Sequence, residues 1–193
     1  AYRELLAQEP EHLPSLSALE RLLAQSGDLE GLVQVLEQQL DVVEEREARD
    51  ALFARIAQVL EVELERQVEA IEVWRRQLEE VEGHAHALQE LERLLMSTGA
   101  YGELAAHYEL WAEQCTSDKD RVQIKTQLAR VYEAELQDGV TAVELYREVL
   151  ELSPDFEDAK LALTELFEQP EHVEQIGAEL RLIAELLEPL HRT

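Results

Sequence analysis

The sequence predicts an all-α fold, an alpha-solenoid of antiparallel helical hairpins, and three observations carry that prediction. Glu, Leu, Ala and Gln abound while only 7 Gly and 5 Pro interrupt 193 residues, a composition that favours helix nearly everywhere. Apolar residues recur at helical spacing between those interruptions, and β-branched residues never alternate with polar ones over a useful length. The chain also repeats itself. At an offset of 72 residues Tyr2, Trp74 and Tyr146 align, each followed by an arginine (Arg3, Arg75 and Arg147). Leu19, Leu91 and Leu163 fall in register, as do Leu22, Leu94 and Leu166, and Leu32, Leu104 and Ile176; Ala57 pairs with Ala129, Leu64 with Leu136 and Ala70 with Ala142. A helix pair of this length cannot bury its apolar stripes alone, so the repetition implies stacked hairpins that complete one another's cores.

Residues 1 to 8 read as the tail of a helix ended by Pro10, and the chain reads as a fragment of a longer protein. A helix from about 14 to 26 carries Leu16, Leu19, Leu22 and Leu23, and Ser26-Gly27-Asp28 stops it. The next, about 29 to 43, carries Leu32, Val33, Leu36 and Leu40. Residues 44 to 50 are charged and lack a breaker, which fits either a tight turn or an extended helix. The stripe then resumes over about 48 to 65 (Phe53, Ile56, Ala57, Leu60) and again over 68 to 81 (Ile71, Trp74, Leu78). Gly83 precedes a helix of about 85 to 98, and Thr98-Gly99 precedes one with Leu104, Tyr108 and Trp111. Ser117 with Asp120 three residues on looks like a capping box that starts a helix to about 136. Asp138-Gly139 turns the chain into the helix of Val143, Tyr146 and Val149, and Pro154 separates it from one of about 156 to 168. A last helix is expected at about 172 to 188, with Pro189 beyond it. Short links make successive helices antiparallel. The hairpin units are about 13–44, 48–82, 85–116, 118–154 and 156–189, within a single array over 1–193.

The unit around Leu128, Ala129, Tyr132, Ala142, Tyr146, Val149 and Pro154 resembles the tetratricopeptide repeat (TPR) family, and the likeness extends over essentially the whole chain. The 50–82 unit matches less fully, through Ile56, Ala57, Leu60, Ala70 and Trp74, with Glu82 where proline is usual. Glu20, Glu92 and Thr164 stand where the family places a small residue, and Leu32, Leu104 and Ile176 replace a later alanine; larger residues there must separate or re-angle the helices. The resemblance implies a right-handed superhelix, and the acidic paired repeats are similar to those of long bacterial, myxobacterial-like proteins. It also implies a concave groove lined by the first helices of the hairpins. The groove positions carried onto this sequence are Ser17, Arg21, Gln25, Ala54, Gln58, Glu61, Gln89, Arg93, Met96, Thr126, Arg130, Glu133, Leu161, Glu165 and Glu168. Arg21, Arg93 and Arg130 recur among them, suited either to a partner's carboxylates or to neighbouring glutamates. The lysine and asparagine clamp that the family uses for chaperone C-termini is not reproduced.

With 43 acidic and 17 basic residues the formal charge is -26, which repels phosphate backbones and argues against nucleic acid while attracting basic protein surfaces. Cys115 is the only cysteine, which rules out an internal disulfide or a thiolate cluster and fits a reducing, cytoplasmic setting. A Glu-x-x-His at Glu9 to His12 spans Pro10 in a turn; His84 and His86 point apart at a helix start; no glycine loop suits phosphate. His107 sits beside Tyr108 and Trp111 on a packing stripe without a partner nucleophile. The expectation is therefore a non-catalytic protein-protein interaction scaffold with no metal or cofactor. It binds a peptide or partner domain through the groove or edge of the array, without membrane insertion. The alternative is structural self-association through exposed repeat ends.

Overall fold

The computed structural model describes residues 12–168. Tyr2, Arg3, Ile176 and the helix expected at about 172 to 188 lie outside the described residues. The described residues form nine α-helices in two compact units that divide between Thr98 and Gly99, inside the 85–116 stretch. The first unit holds α1 (Leu13–Ser26), α2 (Leu29–Val42), α3 (Arg46–Gln58) running on into a π-helical stretch (Val59–Glu63), α4 (Gln67–Glu80) and α5 (Ala85–Thr98). The second holds α6 (Tyr101–Gln114), α7 (Asp118–Ala134), α8 (Gly139–Leu152) and α9 (Glu157–Glu168). Within each unit every helix packs on the next in sequence, so each unit is an all-α, TPR-like stack of helical hairpins.

Local chemistry sets the helix starts. Asp28 Oδ1 accepts from the Gly31 amide at 3.0 Å and Asp138 Oδ1 from Thr141 at 3.1 Å, each satisfying a donor that the first helical turn leaves open. Two histidines do the same work: His12 Nδ1 accepts from Ser15 at 3.3 Å and His84 Nδ1 from Ala87 at 3.2 Å. Ser117 does precede α7, but its side chain makes no capping bond, so the capping box expected there is not formed. The charged 44–50 segment resolves as a short break, with α3 starting at Arg46.

The helix ends are built in matching ways. Gly27 and Gly99 follow α1 and α5 at φ 74° and 68°, a left-handed conformation that costs any residue with a Cβ. At the end of α3 the Leu64 amide donates to Val59 and the Arg66 amide to Leu60, with Glu65 at φ 57°. At the end of α7 Leu136 donates to Val131 and Asp138 to Tyr132, with Gln137 at φ 53°. Arginines close the preceding helices: Arg49 donates to the carbonyls of Leu40 and Val43 below α2, and Arg121 to those of Ala112 and Cys115 below α6. A cation on the open carbonyls of a helix C-terminus satisfies both its acceptors and its dipole.

Between the helices, Ala57, Ala70, Ala129 and Ala142 are at most 1% exposed, and Trp74 and Tyr146 are buried beside them. These small residues let the paired backbones approach. Where Glu20 replaces a small residue, it accepts from Gln39 Nε2 at 2.7 Å across the α1–α2 contact, so a polar pair stands in for close packing. In the second unit Tyr146 joins a core of Val122, Ala129, Ala142, Val143, Val149 and Leu163. Its hydroxyl donates to Glu133 Oε2 at 2.9 Å. Burial, and then that bond to Glu133, push the phenol well above its ordinary range.

Replacing Ala129 by Leu should overpack the α7–α8 contact and cost about 1–3 kcal/mol, read as a lower urea midpoint at unchanged slope. Because the Tyr146 phenol titrates higher in the folded chain than in the unfolded one, the stability it contributes is complete below the ordinary phenol value of 10.0 and is lost as pH rises towards the folded value. Tyr146→Phe should therefore flatten the alkaline fall in stability, measured by denaturation at a series of pH values.

Candidate functional site

The first helices of the hairpins in the first unit, α1, α3 and α5, carry most of the groove positions. Arg93 on α5 spans to α3, donating through Nη1 to Glu61 Oε1 at 2.8 Å and through Nη2 to Glu61 Oε2 at 2.6 Å, while its Nε donates to Glu90 at 2.9 Å. The fork geometry suits a carboxylate, and the bond to Glu61 raises the guanidinium's affinity for its proton further. Gln89 and Met96, four residues before and three after Arg93, share its helix face and are exposed, Met96 at 53%. Gln58 lies one turn before Glu61 on α3, exposed, and accepts from Arg55 Nη1 at 3.0 Å. Arg21 and Gln25 are exposed on α1, as is Ser17, whereas Ala54 is half-buried.

In the second unit the positions diverge. Arg130 on α7 donates to Asp158 on α9 at 3.2 Å, so it is tied to a neighbouring carboxylate as Arg93 is. Glu133 is half-buried and engaged by Tyr146, and Glu165 and Leu161 are exposed on α9. Thr126 does not face solvent: it is buried at 4% exposure and its hydroxyl donates to the Val122 carbonyl at 2.7 Å. The side chain of Glu168 lies outside the described residues.

Sequence reasoning passed over a second kind of feature, the cation-lined clefts of the second unit. One cleft of about 280 Å³ lies between α6, α7 and α8, with Leu128, Leu145 and Ala112 as its apolar lining and Glu109, Glu113, Arg121 and Lys125 around them. Another of about 390 Å³ lies near Lys119, Val122, Leu152 and Phe156. Lys125 is drawn to Glu148 on α8, and the Tyr132 hydroxyl donates to Glu109 Oε1 at 3.0 Å. Comparing residues 53 and 125 at the 72-residue offset was the signal available in the sequence, since an aromatic is matched there by a lysine.

The remaining candidates for chemistry are spent on structure. His84 caps α5, and His86 meets the Trp74 ring edge-on at 5.3 Å. His107 is buried with its ring 5.9 Å from Tyr108 and 5.7 Å from Trp111. Cys115 is half-buried, and burial raises its thiol above the ordinary range, away from the reactive thiolate. Among the described residues no group of three or more His, Cys, Asp or Glu is arranged to hold a metal ion. No helix among them is long and apolar enough to cross a membrane.

Comparison with known proteins finds one matching repeat family. The tetratricopeptide repeat family model matches residues 15–50 and 126–160. The first segment spans nearly all of the α1–α2 hairpin and the start of α3, and the second spans the latter half of α7, all of α8 and the start of α9. Among solved structures, the chain is similar to YrrB, described as a TPR protein with an unusual peptide-binding site, at 19% identity, covering 84% of this chain and 80% of that chain with a TM-score of 0.43. It is similar to the MamA protein at 13% identity, covering 90% of each chain with a TM-score of 0.47. No curated protein matches. The chain is a divergent TPR-like repeat protein, built from all-α helical hairpins.

Proposed function

We propose that this chain is a non-catalytic scaffold that holds a peptide, or an exposed segment of a partner protein, along the solvent-facing sides of α1, α3 and α5. The observation that carries this reading is the Arg93–Glu61 pair with its third member Glu90. It fixes three charged groups across two neighbouring first helices, and exposed Gln89, Met96 and Gln58 lie on the same helix faces. A fixed array of this kind lowers the ordering cost of binding, because its side chains are already held when the ligand arrives. The formal charge of -26 favours a partner with a basic surface, whose cations meet Glu61 and Glu90 while its carboxylates or amides meet Arg93, Gln58 and Gln89. Arg21 and Gln25 on α1 would extend the contact, and in the second unit Arg130, Glu133 and Glu165 offer the corresponding positions.

The test is to identify partners by crosslinking the native protein, then to measure binding of a purified partner to Arg93→Glu. That change puts a third carboxylate against Glu61 and Glu90, and at an interface centre it should weaken binding at least about tenfold, or ~1.4 kcal/mol. Its helical circular dichroism should be unchanged, since Arg93 is exposed. Unaltered affinity with intact helicity would remove this face from the interaction.

A further inference from the structure

We propose that the cleft between α6, α7 and α8 is a docking site for one aromatic side chain of a partner peptide, set next to a basic residue. It lies on the side of α7 that carries Lys125 and Tyr132, away from Arg130, so it does not depend on the groove reading above.

The first unit shows what such a cleft accepts. Arg49 and Arg121 occupy matching places 72 residues apart, each donating to two carbonyls at the end of the helix before it. In the first unit the space beside Arg49 is filled from within. Phe53 is 1% exposed, with the Arg49 guanidinium 6.0 Å from its ring centroid and that of Arg76 at 5.8 Å. Arg76 in turn forks onto Glu37 at 2.9 and 2.8 Å. In the second unit the three filling groups are exchanged for others: Phe53 is matched by Lys125, Arg76 by Glu148 and Leu40 by Ala112. Lys125 pairs with Glu148 on α8, and a cleft of about 280 Å³ stands in that place.

What the exchange leaves behind defines the missing group. The apolar lining remains, as Leu128 and Leu145, and so does the arginine that faces an aromatic ring, as Arg121. The acid that held Arg76 remains too: Glu37 is matched by Glu109, with Glu113 beside it on the rim. The volume falls just below the roughly 300 Å³ at which small-molecule sites begin, and suits a single large side chain. A ring placed over Arg121, followed by an arginine that reaches Glu109 and Glu113, would restore from outside the arrangement that Phe53, Arg76 and Glu37 make from within. A basic residue is also what a chain of net charge -26 attracts.

The experiment titrates the full chain, isotope-labelled for amide spectra, with the blocked dipeptides Phe-Arg and Ala-Arg. Phe-Arg should give saturable shift changes confined to α6, α7 and α8, with a dissociation constant on the order of 1 mM, while Ala-Arg should bind at least about tenfold more weakly. Lys125→Phe supplies the ring internally and should abolish the response. Glu113→Lys, on an exposed side chain, should weaken it several-fold, and serves as the reading should Lys125→Phe fail to fold. Arg93→Glu should leave it unchanged, which separates this site from the α1, α3 and α5 face. Equal responses to the two dipeptides, no saturable shift in the unaltered protein, or shifts that survive both Lys125→Phe and Glu113→Lys would overturn the proposal. So would shifts at these residues that track protein concentration alone, which would assign the cleft to a second copy of the chain.

Discussion

The close approach of paired helices is the constraint on which the rest of the structure depends. Ala57, Ala70, Ala129 and Ala142 sit between the helices with essentially no exposed surface, and side chains this small allow the paired helices to approach closely. A helix pair packed this tightly buries aromatics such as Trp74 and Tyr146 between the helices and leaves its outer faces exposed. Everything available for recognition is then set by what remains on those outer faces. For most of the chain that is carboxylate, glutamine and a small number of arginines.

Those arginines are already engaged, and that shapes how the surface can act. Arg66 lies against Glu30, Arg76 against Glu37, Arg93 against Glu61 and Arg130 against Asp158, each joining one helix to another within its unit. Exposed pairs of this kind add little to stability one at a time, on the order of 0–1 kcal/mol. Their larger effect in a strongly acidic chain is to place each scarce cation where it offsets repulsion between neighbouring helices. A partner that binds at such a pair exchanges one ionic contact for another, which favours selectivity over tight binding.

Much of the fold was legible in the sequence, because stripes and breaks are local. Leu16, Leu32, Leu91, Leu104 and Leu163 lie in the core as their spacing implied, and Gly27, Gly99 and Asp138 mark turns. Helix starts were less legible. His12 and His84 cap helices although histidine is an unusual choice, while Ser117, with the better signature, leaves its side chain unused. The candidate face was legible only in part. The family resemblance carried Thr126 onto an outward groove position, but a hydroxyl that bonds back to the carbonyl four residues earlier needs no solvent and is buried here. The Arg93–Glu61 fork joins residues 32 apart, a distance at which one-dimensional spacing carries no information without knowing which helices lie side by side. Cavities are harder still, since they depend on what several elements jointly fail to fill.

The bonds five residues back at two helix ends, Leu64 to Val59 in the π-helical stretch and Leu136 to Val131 in the turn after α7, bear on how such a chain can change length. A π turn is an α-helical turn holding one surplus residue, kept because the packing on either side tolerates the bulge. Losing that residue would tighten the coil into ordinary α geometry and leave the alanine contacts upstream in phase. The end of the π-helical stretch at Glu63 is thus a place where a hairpin can lose a single residue without disturbing the buried contacts upstream.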